Sequence, residues 1–229
     1  MLKKRVVLYS DRNMDVETDE NKDHYHLREK IFKIKGMAGF GYMILLYDET
    51  QVYKLLRELN HLSNFDMMTG LHNRNYIEYV FSKINDTKNI GVISLDLNGL
   101  KINNDYLGHE RGDYLLKSLA KIIKKVMSEV KNKDIARIGG DEFLIVIRNT
   151  SISFISKAKE EILESCFNEN IEDLVSVSIG TAFGLDNKLN IFQLVHEADN
   201  KMYDMKKLTS NDYKRKMIEY IKLKNKYIR

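Results

Sequence analysis

The chain has 229 residues, and its 37 Lys and Arg against 33 Asp and Glu leave a net charge of +4, too mild a surplus to mark a nucleic-acid or polybasic membrane binder. Hydrophobic residues make up 43% and charged residues 31%, the balance of a soluble globular protein, and no apolar run approaches the roughly 18 residues of a membrane span. A single cysteine, Cys166, excludes an internal disulfide, fits a reducing cytoplasm and reads as a buried helix residue, and no signal peptide is visible after Met1.

Residues 1–47 read as β-rich, with a polar stretch at residues 11–23 between two strand-like pieces. Residues 25–28 and 30–34 alternate polar with apolar, the period of half-buried strands. Gly36, Gly39 and Gly41 precede residues 42–47, which read as a buried strand. Fewer than fifty residues make little core, so this part is expected to be the remnant of a larger sensory domain. Residues 48–64 form an amphipathic helix with Val52, Leu55, Leu59 and Leu62 on an a/d seam. Packing on its own chain and pairing with a second copy both remain open for it.

From Asn73 the pattern alternates. Asn73 caps a helix with Tyr76, Ile77, Val80, Phe81 and Ile84 on one face. Residues 89–97 read as a strand buried on both faces. Leu115 to Val130 stripe a long helix, residues 135–138 and 143–147 form a hairpin, and residues 152–166 form a third helix. Residues 174–183 read as a strand, and Ile191 to Met205 stripe a fourth helix. The order α-β-α-β-β-α-β-α predicts an α+β layer with helices over a mainly antiparallel sheet. The Lys-rich residues 209–229 read as a basic tail, helical and solvated, with a basic arm as the alternative.

Two acidic groups stand out. Asp96 ends an apolar strand, and Asp141-Glu142 occupy the turn of the hairpin after Gly139-Gly140. Such carboxylates suit a hard cation with oxygen ligands, although acids at strand ends also often only face solvent. The run from Asn98 to Asp105 supplies a turn with free N–H groups and Lys101, the parts of a phosphate cradle.

Five ordered blocks then resemble the GGDEF family of diguanylate cyclases. Asp66 to Arg74 is similar to D-x-L-T-G-L-x-N-R with Met68 for leucine, and Asp96 to Asp105 is similar to D-I/L-D/N-x-F-K-x-x-N-D. Gly108 to Asp113 resembles G-H-x-x-G-D, Gly139 to Phe143 is the signature, and Ala198 to Lys206 resembles A-D-x-A-L/M-Y-x-A-K. The resemblance spans residues 65–208 and implies a fold like that of nucleotidyl cyclases and polymerase palms, with the signature on a β-hairpin. It implies condensation of two GTP into cyclic di-GMP with release of pyrophosphate, in a homodimer that brings two GTP-loaded domains face to face. The implied cofactor is Mg²⁺, with Mn²⁺ as a substitute, held by the carboxylates of Asp96 and Asp141 and the carbonyl of Leu97. Glu142 is the implied catalytic acid residue beside Asp141. The backbone of Asn98, Gly99 and Leu100, with Lys101 and Lys206, would hold the triphosphate. Asn104 and Asp113 would read guanine with His109 nearby, since a carboxylate facing two adjacent donors suits guanine and not adenine. The implied upstream region is PAS-like, and the implied location is cytoplasmic.

The chain departs from the family at two places. Ser210 stands where an arginine commonly follows the motif lysine by four residues, so the triphosphate needs another cation, from Lys207 or a lysine of the tail. Val130 and Lys133 stand where the family's product-inhibition Arg-x-x-Asp would lie, and Asp134 is one place out of register, so no such site is expected. A module that binds GTP or a partner without catalysis is the alternative reading.

Overall fold

The computed structural model describes residues 6–17, 24–36, 39–84, 89–167, 174–185 and 190–227. The chain divides into two compact units, residues 1–61 and 62–229. Among the described residues no helix is long and apolar enough to cross a membrane.

The first unit is an antiparallel meander of β1 (Val6–Glu17), β2 (His24–Gly36) and β3 (Gly39–Asp48), followed by α1 (Thr50–Asn64). Residues 11–17 belong to β1 and not to a polar linker. Cross-strand ion pairs carry those polar residues into the sheet: Arg28 donates to both Asp11 oxygens at 2.8 Å, and Arg12 lies 2.6 Å from Glu29. Strand β3 is not the buried strand expected, since Tyr42, Ile44 and Leu46 are exposed on this edge strand. The seam of α1 is exposed as well, at Val52, Leu55, Leu59 and Leu62.

The second unit runs α2 (Arg74–Lys83), β4 (Ile90–Leu97), α3 (Leu100–Leu107), α4 (His109–Val126), β5 (Lys133–Arg137), β6 (Glu142–Ile147), α5 (Ile152–Cys166), β7 (Val177–Gly184) and α6 (Ile191–Tyr227). Its four strands pair antiparallel in the order β5-β6-β4-β7, which gives the α+β fold expected. Strand β4 is apolar along nearly its whole length because both faces are covered. Ile93 and Leu95 pack toward Leu115, Leu119 and Ile162 from α4 and α5, while Val92 packs with Ile77, Leu144 and Ala198 from α2, β6 and α6. Cys166 lies in the first of these cores, where burial pushes its thiol up to about 12.

Two elements of this second unit also differ from the sequence expectation. Residues 100–107 form a helix and not an open turn, bracketed by Gly99 and Gly108, both at positive φ. The basic tail is no solvated appendage: α6 continues to Tyr227, and Tyr213, Met217 and Ile221 bury one stripe against Ile102 of α3. Their spacing of four is the period of a helix face. Close docking of α6 on the sheet depends on Gly180, where a Cβ would fall 2.0 Å from the Ala198 carbonyl oxygen.

Candidate active site

The site lies where β4 ends beside the β5–β6 turn. Antiparallel register sets Asp96 opposite Glu142, so the strand-end acid meets the signature because of strand pairing alone. The Leu97 N–H donates to the Asp141 carbonyl at 2.9 Å and ties the strand end to the turn. Two arginines fix that turn from outside: Arg74 donates to the Ile138 carbonyl at 2.8 Å and Arg137 to the Gly140 carbonyl at 2.7 Å. Arg137 also reaches Asp66, whose carboxylate accepts from the Thr69 N–H and hydroxyl, so the opening motif and the signature brace each other. Asn73 accepts from the Tyr76 N–H and caps α2, as its place in the sequence predicts.

Asp96 is buried, at 2% exposure. Its Oδ2 accepts from Lys206 of α6 at 2.6 Å, and its Oδ1 has no hydrogen-bond partner among the described residues. Burial pushes the Asp96 carboxyl up to about 6 against the Lys206 hydrogen bond, and repulsion from Asp141 and Glu142 adds to the rise. Burial by itself would lower the Lys206 ammonium, but the Asp96 hydrogen bond and the three nearby carboxylates hold it above its ordinary value. Of the three acids only Asp96 pairs with the ammonium; Asp141 and Glu142 act on it from further away. A buried carboxylate oxygen without a donor is the kind of oxygen ligand a hard divalent cation takes, but among the described residues no three acidic side chains form a ready-made cluster around it.

A cavity of about 450 Å³ opens at this place, lined by Leu97, Gly99, Leu100, Lys101, Asp141 and Lys206, with Ser210 and Lys214 from the continuation of α6. Gly99 takes the left-handed conformation, φ +74°, from which α3 starts, and the first N–H groups of a helix have no carbonyl of their own helix to meet. A Cβ at Gly99 would strike the Tyr213 ring at 2.4 Å, and the Asn103 amide donates to the Tyr213 hydroxyl at 3.2 Å. Tyr213 therefore clamps the turn that borders the cavity.

Not every expected residue lines it. Asn98 is spent on structure: its N–H donates to the Ser176 carbonyl at 2.8 Å, and its buried amide bonds Ser176 and Ser178. That N–H is not free for a phosphate, which corrects the expectation and leaves Gly99, Leu100 and Lys101. The Glu142 carboxylate lies over Gly139 and borders a different cavity, of about 690 Å³, between α2 and the first turns of α6. Asn104, His109 and Asp113 sit on α3 and α4 outside the phosphate-sized cavity. Asn104 Oδ1 is buried with no partner among the described residues, and a Cβ on Gly112 would fall 1.9 Å from it, so glycine there lets the amide lie against α4. Asp113, the next residue, is half-buried, and His109 is exposed at the start of α4.

The sequence reading missed Tyr213 and the bracing role of Arg137. Tyr213 continues the four-residue spacing of Met217 and Ile221, a signal that was present. Arg137 carried none, because its partners Asp66 and Gly140 are brought together only by the fold. In the motif Ala198-Asp199, Asp199 accepts from the buried Ser94 hydroxyl at 2.5 Å and fastens α6 to β4.

Comparison with known proteins gives the family and the fold. The family model described as "Diguanylate cyclase, GGDEF domain" matches residues 63–212. The signaling protein YkoW of Bacillus subtilis is 29% identical over 88% of this chain and 26% of its own length. The diguanylate cyclase DgcS of Shewanella oneidensis is 30% identical over 69% of this chain and 54% of its own. The chain thus spans between about a quarter and half of these two relatives. The crystal structure of the coiled coil and GGDEF domain of DgcB from Caulobacter crescentus, in complex with c-di-GMP, superposes with a TM-score of 0.60 at 22% identity. It covers 69% of this chain and 87% of that one, and shows the shared fold. By its matched motifs, its fold and its family model, the chain belongs to the GGDEF-domain family of diguanylate cyclases.

Proposed function

We propose that the chain is a diguanylate cyclase that condenses two GTP into cyclic di-GMP and releases pyrophosphate, in the cytoplasm. The observation that carries this reading is the buried, unpartnered Oδ1 of Asp96, whose other oxygen pairs with Lys206 at the wall of a cavity that also gathers Asp141 and Lys101. Asp96 and Asp141, with the Leu97 carbonyl, would hold Mg²⁺, or Mn²⁺ in its place. When bound there, the cation supplies Lewis acidity toward the α-phosphoryl oxygens and lowers the pKa of the attacking 3′-hydroxyl.

The other groups act by binding and orienting. Lys101, Lys206 and the N–H groups at the start of α3 hold the triphosphate, and Asn104 and Asp113 read the guanine edge with His109 beside them. Glu142 stands across the register from Asp96 as the acidic catalytic residue. Each domain carries one GTP, so two domains must face each other for the 3′-hydroxyl of one to reach the α-phosphorus of the other. The exposed apolar seam of α1 is the surface we assign to that pairing, as a signalling helix, with residues 1–47 as a sensory, PAS-like part.

Ser210 favours a second reading, a module that binds GTP and regulates without catalysis. Calorimetry with an α,β-methylene analogue of GTP tests the site under both readings. Binding is expected to require Mg²⁺ and to fall sharply in Asp96→Asn. Binding indifferent to Mg²⁺ and to Asp96→Asn would overturn the metal assignment.

A further inference from the structure

We infer that Lys214, on the extension of α6, is a cation of the triphosphate site and supplies from one turn further on the charge that Ser210 does not. The inference rests on reading the cavity of about 450 Å³ as the triphosphate site. Lys206, Ser210 and Lys214 follow one another at intervals of four, so they stand one above another on a single face of α6, and all three line that cavity.

The other cations of this segment are committed elsewhere. Lys207 donates to Asp204 at 2.8 Å and its ammonium lies 4.4 Å over the Tyr203 ring. Arg215 and Lys216 both pair with Asp212, at 2.6 and 2.8 Å. Lys206 lines the cavity but shares its charge with Asp96, 2.6 Å away. Lys214 has no ion pair or hydrogen bond among the described residues, and neither has Lys101, which lines the same cavity from α3. These two lysines are therefore the uncommitted positive charges at the cavity, where a triphosphate brings several negative ones.

The rotation of α6 is fixed where Lys214 stands. Tyr213 and Met217 are buried at 3% and 0% exposure against α3, and the Tyr213 ring fills the space over Gly99. With that stripe locked inward, the adjoining face that carries Lys206, Ser210 and Lys214 is held toward the turn at Gly99. A long lysine on a locked helix can follow a phosphate chain with its ammonium while its stem stays on the helix surface.

The test is calorimetry on the full chain with Mg²⁺, comparing the α,β-methylene analogue of GTP with GMP. Lys214→Ala should bind the triphosphate analogue about 10- to 100-fold more weakly, the range for losing one charge-assisted hydrogen bond. GMP affinity and the thermal transition should stay at the wild-type level, since Lys214 is exposed. Lys214→Arg should retain triphosphate binding, and adding Ser210→Arg to Lys214→Ala should restore it, a rescue that a purely structural role would not show. Wild-type affinity for the analogue in Lys214→Ala overturns the inference alone. If the wild type itself binds no analogue, the reading of the cavity fails, and the inference with it.

Discussion

Arg137→Gln should destabilise the 62–229 unit by about 2–3 kcal/mol at neutral pH, and the loss should shrink in acid. The Arg137 side chain is 12% exposed, 3.2 Å from the Asp66 carboxylate and 2.7 Å from the Gly140 carbonyl. A hydrogen bond to a charged group contributes about 1.5–3 kcal/mol, and partial exposure brings the two together to about 2–3 kcal/mol. The pH dependence comes from Asp66. Burial alone would raise its carboxyl, but the Thr69 hydrogen bonds and the Arg137 charge outweigh burial and hold it below the ordinary value. Such a group contributes stability that is present above its unfolded pKa of about 3.9 and is lost as pH falls through the lower folded value. Removing Arg137 lets the folded value rise, so wild type and variant converge as Asp66 protonates. Urea denaturation from about pH 2 to pH 7 measures the loss, and thermal denaturation at neutral pH should show a fall in Tm of about 4–12 °C. A double-mutant cycle with Asp66→Asn should return a coupling of about 1 kcal/mol or more. An equal loss in acid and at neutrality, or no coupling, would refute the argument that the opening motif and the signature turn hold each other.

Asp141→Asn and Glu142→Gln should each abolish cyclic di-GMP synthesis while the far-UV circular dichroism stays unchanged; turnover at the wild-type rate in either would remove that residue from the chemistry. Asp113→Asn should weaken binding of the GTP analogue by about tenfold or more with little change in Tm, because an acceptor pair is exchanged for a group with an unwanted donor. Calorimetric affinity at the wild-type level would place guanine recognition elsewhere. Micromolar cyclic di-GMP should leave the reaction rate unchanged in progress curves. Val130 has no donor to offer, the Lys133 ammonium is turned back to the Val130 carbonyl at 2.8 Å, and Asp134 is buried against Arg148 and the Tyr76 hydroxyl. Strong inhibition relieved by Lys131→Ala, which removes the cation three residues before Asp134, would instead show that a site shifted by one residue works.

Elements with a long apolar period were legible in the sequence. Strand β4 and helices α4 and α5 bury one continuous stripe or two faces each, and such patterns have one structural solution. The placing of Asp96 and of Asp141-Glu142 at strand termini was legible too, because apolar runs stop there, but the β4–β6 register that sets Asp96 opposite Glu142 joins strands that no hairpin connects. Helix α3 was hidden, because its Asn-rich run carries the residues of a turn and becomes helical with Ile102 and Asn103 buried on α6. The structural use of Asn98 was equally hidden: its partners Ser176, Ser178 and Thr209 lie far along the chain, and nothing local marks them. In the first unit, the continuous apolar run in β3 marked a strand but not its burial, which depends on what covers an edge.

The central claim is tested most directly by incubating the full chain with GTP and Mg²⁺ and resolving the products by chromatography, with Glu142→Gln as the control. The account predicts cyclic di-GMP and two pyrophosphates for each cyclic dinucleotide from the wild type, and neither from the variant. GTP recovered intact, or converted to GDP and phosphate, from a wild-type chain that binds the nucleotide would contradict it.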